Sequence, residues 1–214
     1  MNALLLLLAA PVSGTVLFDG PAVAPKKVVP TTDTAICSQQ DLVDESLLVD
    51  AKTKGIANVV VFVEGVKLVK RDQPINLDNF RCRYEPHVAI AGVGQPIVVR
   101  NRDRFLHTSA ARDAKGKQLF NVALPFKDAE KQQSFAKRGF YTVVCDVHTW
   151  MNAWVAVLDG EPAALSNTAG EFTIDDVPKG KHKLRFWHEQ LGEKTMIVEV
   201  KDEPLSALEL KWKK

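Results

Sequence analysis

Short hydrophobic runs, rich in β-branched and aromatic residues, recur along the chain. The clearest of these runs occupy residues 14–18, 58–66, 96–101, 140–145, 153–158, 171–174, 182–187 and 195–200. Sequences typical of turns, such as GVGQP, LDGEP and VPKG, lie between them. The pattern predicts an all-β protein, an antiparallel sandwich or barrel, rather than alternating strands and helices. The one helical candidate is residues 34–50, where the apolar positions have nearly helical spacing.

The chain opens with MNALLLLLAAPVSG, an apolar run followed by small residues. The run is too short to span a bilayer, which takes about 20 apolar residues, and no later segment could span one. Its length is typical of the apolar part of a signal peptide, although the usual basic residue before it is missing. We therefore predict a signal peptide or its remnant over residues 1–13 and a periplasmic or extracellular location. The alternative is an ordinary buried strand.

Composition excludes one broad class of partner. The 214 residues include 28 Lys and Arg against 26 Asp and Glu, a net charge of +2. No basic run is long enough to follow a phosphate backbone, so nucleic acid is not an expected partner.

The segment CDVHTWM places a thiol at Cys145, an imidazole at His148 and a thioether at Met151. One thiolate with imidazoles and a weak thioether is a donor set that suits copper, since soft sulfur favours Cu(I) and imidazole holds Cu(II). A fourth donor must come from elsewhere, and His107 is the natural candidate because it lies between two predicted strands. Two adjacent strand ends would bring these segments together.

Longer stretches around these residues resemble the cupredoxins, the plastocyanin- and amicyanin-like blue copper proteins. They are PHVAIAGVGQPIVVRNRDRFLHT and GFYTVVCDVHTWMNAWVAVL, within residues 78–159. His107, Cys145, His148 and Met151 fall on the four ligand positions of that family. The resemblance implies a Greek-key β-sandwich, one type 1 copper ion, one-electron transfer to a redox partner protein, a non-enzymatic monomer, and His148 at an exposed edge as the electron exit.

If Cys145 binds metal, Cys37 and Cys82 remain as a pair. In an exported chain an even remainder most simply indicates a disulfide. Two buried free thiols are the alternative.

Three further residues are candidates for supporting roles. Asn101 precedes the first ligand and is predicted to fix His107. His87 could support the ligands, bind an extra metal or lie at the surface. Trp150 could shield copper or form part of an apolar docking patch with Phe126 and Leu106.

The C-terminal sequence NTAGEFTIDDVPKGKHKLRFWHE resembles the core of carboxypeptidase-regulatory-like sandwich domains, of the immunoglobulin or transthyretin type. We therefore predict a cupredoxin domain over residues 56–159 and a smaller β unit over 160–214. In one arrangement residues 14–55 complete the smaller unit, because 55 residues are marginal alone. In that case the cupredoxin would be inserted into a sandwich made from both chain ends.

Two other functions remain open from sequence: a copper-binding or delivery protein, and a copper subunit of a larger redox complex. Delivery proteins favour Met- or His-rich tracts, which three methionines do not provide. Oxidase activity would need His-x-His pairs, and the sequence has none.

Overall fold

A computed structural model describes residues 9–21 and 23–213, and the all-β prediction is confirmed. The elements of these described residues are β1 (Ala9–Phe18), α1 (Thr34–Cys37), β2 (Val60–Val63), β3 (Ile75–Phe80), β4 (Arg83–Glu85), β5 (Val88–Gly92), β6 (Ile97–Asn101), β7 (His107–Arg112), β8 (Gln118–Leu124), β9 (Glu130–Gln133), β10 (Gly139–Val144), β11 (Asn152–Leu158), β12 (Ala163–Leu165), β13 (Glu171–Pro178), β14 (Gly180–His188), β15 (Gly192–Val200) and β16 (Leu205–Trp212). Across the described ranges, no helix has the length and hydrophobicity that a membrane crossing requires.

The predicted helix over residues 34–50 is wrong beyond its first turn. Helix α1 ends at Cys37, and Val43 instead forms an antiparallel bridge with Lys27. Leu42 is buried in a cluster with Cys37 and Cys82. Tertiary contacts, rather than helical periodicity, therefore determine where the apolar residues of this segment lie.

The first of two compact units contains the described residues of Met1–Ala24, Ser46–Val69 and Glu161–Lys214. Its two sheets have the strand orders β13-β1-β16 and β12-β2-β14-β15. Apolar side chains from both sheets form one buried cluster, so the unit is a β-sandwich. Its largest members include Phe172, Phe186 and Trp212.

Two features of this unit differ from the sequence prediction. The boundary at residue 56 assigned β2 to the cupredoxin domain, whereas β2 pairs with β12 and β14. All four β2 residues are buried, as expected for an interior strand. Residues 1–8 of the predicted signal peptide lie outside the described residues. Residues 9–13 form the first half of β1, in which Ala10 and Val12 are buried, so the boundary at 13 falls within a strand.

The second unit contains Pro25–Glu45 and Lys70–Gly160. Its sheets have the orders β5-β11-β10-β7-β8 and β4-β3-β6-β9, and their facing apolar residues form a second buried cluster. Strand β10 lies between β7 and β11 and pairs Val144 with Ala110. The residue that follows β10 is therefore brought close to the first residues of β7.

Candidate metal centre

Strand pairing brings the predicted donors together at one end of the second unit. His107 is the first residue of β7, and Cys145 directly follows β10. The amide of Thr108 points at the Cys145 Sγ atom, with an N–S distance of 3.4 Å. The predicted meeting of two strand ends is thus observed in the structure.

A short loop carries the remaining predicted donors from β10 to β11. The Met151 amide donates to the His148 carbonyl at 2.8 Å, and the Cys145 amide donates to the Met151 carbonyl at 3.2 Å. The His148 amide lies 3.4 Å from Cys145 Sγ. These bonds close the loop on itself, so its conformation is fixed by its own backbone.

His107, Cys145 and His148 form the one group of potential metal-binding side chains found among the described residues. Their donor atoms lie within 4.8 Å of one another. Cys145 Sγ is 3.9 Å from His107 Nδ1 and 3.6 Å from His148 Nδ1. A metal ion with bonds of about 2.3 Å to sulfur and about 2.0 Å to nitrogen separates the sulfur from each nitrogen by about 3.5 Å in a tetrahedral site and about 3.7 Å in a trigonal one. The three donors therefore fit a metal ion.

Met151 is buried and belongs to the same apolar cluster as Cys145. Its backbone closes the loop next to Cys145, as described above. The structure thus places the thioether residue beside the donor group.

The groups around Cys145 lower the pKa of its thiol and so favour the thiolate. Burial favours the neutral thiol, but hydrogen bonds from His107 and His148 and from the Thr108 and His148 amides outweigh it and lower the pKa to about 5. Since the thiolate is the form that binds metal, the fold itself supplies the ligand in its reactive state.

His107 is held by a carboxylate that the sequence prediction missed. Its Nε2 atom is 3.1 Å from Asp103 Oδ2, and the ring is fully buried. Burial opposes ionisation of Asp103, but hydrogen bonds from His107 and from the amides of Cys82 and Arg81 keep the pKa of the carboxyl below its usual range. For His107 burial likewise opposes the charged form, but Asp103 and Cys145 raise the pKa of the ring. The position of Asp103 four residues before His107 was the available signal.

His148 is buried, which corrects the expectation that it lies at an exposed edge. The rings of Phe105 and Trp150 lie 5.4 and 5.1 Å from its ring. Its Nε2 atom is 2.9 Å from Oδ2 of Asp33, a residue 115 positions earlier. The segment that contains Asp33 therefore covers the edge of the imidazole that the resemblance implied to be exposed. The sequence near His148 gives no sign of this contact.

Asn101 was predicted to fix His107, but its hydrogen bonds reach the turn before His107. Its side-chain amide donates to the carbonyls of Phe105 at 2.7 Å and Leu124 at 2.8 Å, and its Oδ1 accepts from the Asp103 amide at 2.8 Å. Asn101 thus shapes the turn that carries Asp103, and Asp103 contacts His107.

The two remaining candidates lie close to the Met151 loop. Trp150 is half-buried and donates from Nε1 to the Cys82 carbonyl at 2.9 Å, and it packs edge-on against His148. His87 is buried, so its surface alternative is wrong. It lines a cavity of about 340 Å³ together with Trp150 and Met151. The metal-binding group of the described residues does not include His87.

A disulfide joins Cys37 and Cys82, the pair left over in the cysteine count, and Cys145 is the free thiol. Both half-cystines are buried. The disulfide lies in a cluster that also contains Phe105 and Trp150, the two rings packed on His148. It therefore belongs to the surroundings of the donor group.

Comparison with solved structures finds proteins similar to part of this chain. A purple cupredoxin from Nitrosopumilus maritimus is 26% identical, covering 41% of this chain and 100% of its own, with a TM-score of 0.36. The reduced state of an amicyanin variant is 22% identical, covering 40% of this chain and 82% of its own, with a TM-score of 0.36. A copper-containing nitrite reductase from Thermus scotoductus SA-01 is 21% identical, covering 44% of this chain and 24% of its own, with a TM-score of 0.35. No protein family and no curated protein matches the chain.

Proposed function

We propose that the second unit binds one copper ion and transfers single electrons as a non-enzymatic carrier. The ligands would be His107, Cys145 and His148, with Met151 as a weak fourth donor. The observation that carries this proposal is the buried group of one thiolate and two imidazoles, with donors 3.6 and 3.9 Å apart.

The donor set favours copper over other common metals. A thiolate, two imidazoles and a thioether are softer than the oxygen ligands of Mg²⁺ or Ca²⁺. Copper bound to them would change between Cu(I) and Cu(II), the one-electron chemistry of such sites. Because zinc accepts thiolate and imidazole as well, it is the competitor to test.

The protein contributes a rigid, dry environment. Cys145, His107 and His148 are at most 2% exposed, so water has no access to the donor atoms. Asp103 accepts a hydrogen bond from His107 Nε2–H, so Nδ1 is the ring atom that would bind metal, in place of the proton that it donates to Cys145. Since the loop from Cys145 to Met151 is closed by its own hydrogen bonds, the donors can keep their positions in both oxidation states.

The same burial argues against the delivery alternative. A protein that hands its metal to a partner needs ligands that the partner can reach. Here the two imidazoles are fully buried. Electrons can cross a layer of packed side chains, whereas a metal ion cannot.

We place this carrier in the periplasm or outside the cell, with a protein as its redox partner and a monomer as its working state. The Cys37–Cys82 disulfide supports an oxidising compartment.

The proposal is tested by adding Cu(II) to the purified apo-protein and recording the visible and electron paramagnetic resonance spectra. We expect an intense thiolate-to-copper band that saturates at one equivalent and disappears and returns through repeated reduction and oxidation. His107→Ala should abolish the band. His182→Ala is a matched control, because His182 lies in the first unit and bonds the Pro178 carbonyl.

Two results would overturn the proposal. One is a colourless protein that binds zinc as tightly as copper. The other is loss of copper to a competing chelator in every redox cycle, which would restore the delivery function.

A further inference from the structure

Residues 25–45, here called the cap segment, form a long loop of the second unit. Its two ends pair with each other: Val28 N donates to the Leu42 carbonyl at 3.0 Å and Asp44 N donates to the Lys26 carbonyl at 2.8 Å. Its middle is tied by the disulfide from Cys37 to Cys82. Two independent tethers therefore fix the position of the segment.

The cap segment packs on the same rings that surround His148. Cys37 and Leu42 are buried in one cluster with Cys82, against which Phe105 and Trp150 pack. These two rings contact the His148 ring. The cap segment is thus part of the wall around the donor group rather than a loop elsewhere on the unit.

Asp33 precedes the helical turn α1 in an unusual conformation. Its φ and ψ are 46° and 38°, the left-handed region that Asp and Asn tolerate better than other side chains. An Asp at this position normally caps the helix with its side chain, but Asp33 makes no side-chain cap hydrogen bond. Its carboxylate is directed at His148 Nε2 instead, at 2.9 Å.

The contact determines how the His148 ring can act. A hydrogen bond from Nε2–H to a carboxylate commits Nε2, so Nδ1 is the ring atom left to bind metal, in place of the proton that it donates to the thiolate without metal. Nδ1 is the atom that lies 3.6 Å from Cys145 Sγ. His107 has the same arrangement through Asp103. Both imidazoles are therefore backed by a carboxylate.

We infer that Asp33 is a positioning residue of the copper centre: the cap segment, held by the Cys37–Cys82 disulfide, brings it across to fix His148 in the Nδ1-binding form and to close the imidazole edge against solvent. This inference rests on the proposed copper function. It adds that the centre is completed by a distant segment and that a covalent bond maintains the closure.

Two substitutions of Asp33 separate the effect of its charge from the effect of its hydrogen-bond acceptor. Asp33→Asn keeps an acceptor oxygen and removes the charge, while Asp33→Gly removes the acceptor, and both residues adopt positive φ without added strain. Asp41→Asn is the matched control, since Asp41 is an exposed carboxylate of the same cap segment.

Three measurements read the effect. Nitrogen NMR of the apo-protein should show a proton on His148 Nε2 that exchanges slowly with solvent in the wild type and in Asp33→Asn, because an oxygen of residue 33 accepts it. In Asp33→Gly this protection should be lost. Copper removal by a chelator should be at least about tenfold faster in Asp33→Gly, the usual effect of losing such a partner. The reduction potential of Asp33→Asn should become more positive, by about 59 mV for each tenfold loss of Cu(II) affinity relative to Cu(I).

A double variant, Cys37→Ala with Cys82→Ala, tests the tether. It should show the loss of protection at His148 Nε2 and the faster copper loss although Asp33 is unchanged. The whole inference is overturned if both Asp33 variants give the same results as Asp41→Asn in all three measurements. Failure of the copper function would appear differently, as a wild-type protein without the thiolate-to-copper band, and the NMR measurement on the apo-protein would still decide the role of Asp33.

Discussion

The free thiol of the donor group should be ionised at neutral pH even without metal. The pKa of Cys145 lies at about 5, against 9.0 for an ordinary thiol. At pH 7, two pH units above that value, thiolate should exceed thiol by about a hundredfold. The cause is the ring of donors around Sγ, which includes His107, His148 and the Thr108 amide, because burial alone would act in the opposite direction.

Ultraviolet absorbance of the thiolate in the apo-protein measures this directly, with Cys145→Ser as the blank. We expect a single titration near pH 5 in the wild type. In His107→Ala the midpoint should rise, because one of the hydrogen bonds that stabilise the thiolate is lost.

The same shift has a consequence for stability. Because the folded pKa is lower than the unfolded one, the thiolate contributes stability that is fully present above pH 9 and is lost as the pH falls through about 5. A titration midpoint near 9 in the folded apo-protein would refute the reasoning, since it would show that the imidazoles do not face Sγ as the structure has them.

Three other substitutions test the fold around the site. Cys37→Ala with Cys82→Ala opens a loop of 45 residues, so guanidinium unfolding of the second unit should lose about 4 kcal/mol; an unchanged midpoint would contradict this. Asn101→Ala removes the hydrogen bonds to the Phe105 and Leu124 carbonyls and from the Asp103 amide, and should cost about 3 kcal/mol in thermal unfolding; a loss below about 1 kcal/mol would contradict it. Phe186→Ala empties part of the first unit's core and should cost about 3–5 kcal/mol while the copper band persists.

The sequence could predict the local part of the site because that part depends on strand periodicity and short spacing. Cys145, His148 and Met151 lie on one loop whose closure is set within seven residues. His107 could be added because a residue at the start of one strand meets a residue at the end of its neighbour. Both inferences rest on the two-residue period of strands and on short loops between them.

The carboxylates could not be predicted with equal ease. Asp103 lies close in sequence to His107, yet Asn101 in the same stretch was an equally reasonable candidate, and only the turn geometry decides between them. Asp33 is 115 residues from His148. Its contact depends on a segment that has little regular structure and whose course is fixed by a disulfide, so no local pattern encodes it.

The residue that connects these contacts is Cys82. It lies with Arg81 in the two-residue turn between β3 and β4, where both have positive φ, 61° and 53°. Such turns prefer Asn and Gly, so two other side chains there cost conformational energy. The cost is offset by what the turn does: its amides donate to Asp103, its sulfur holds the cap segment, and its Cys82 carbonyl accepts from Trp150. One strained turn therefore fixes both the Asp103 carboxylate that contacts His107 and the cap segment whose Asp33 contacts His148. A substitution that disrupts this turn should therefore disturb the positions of both imidazoles.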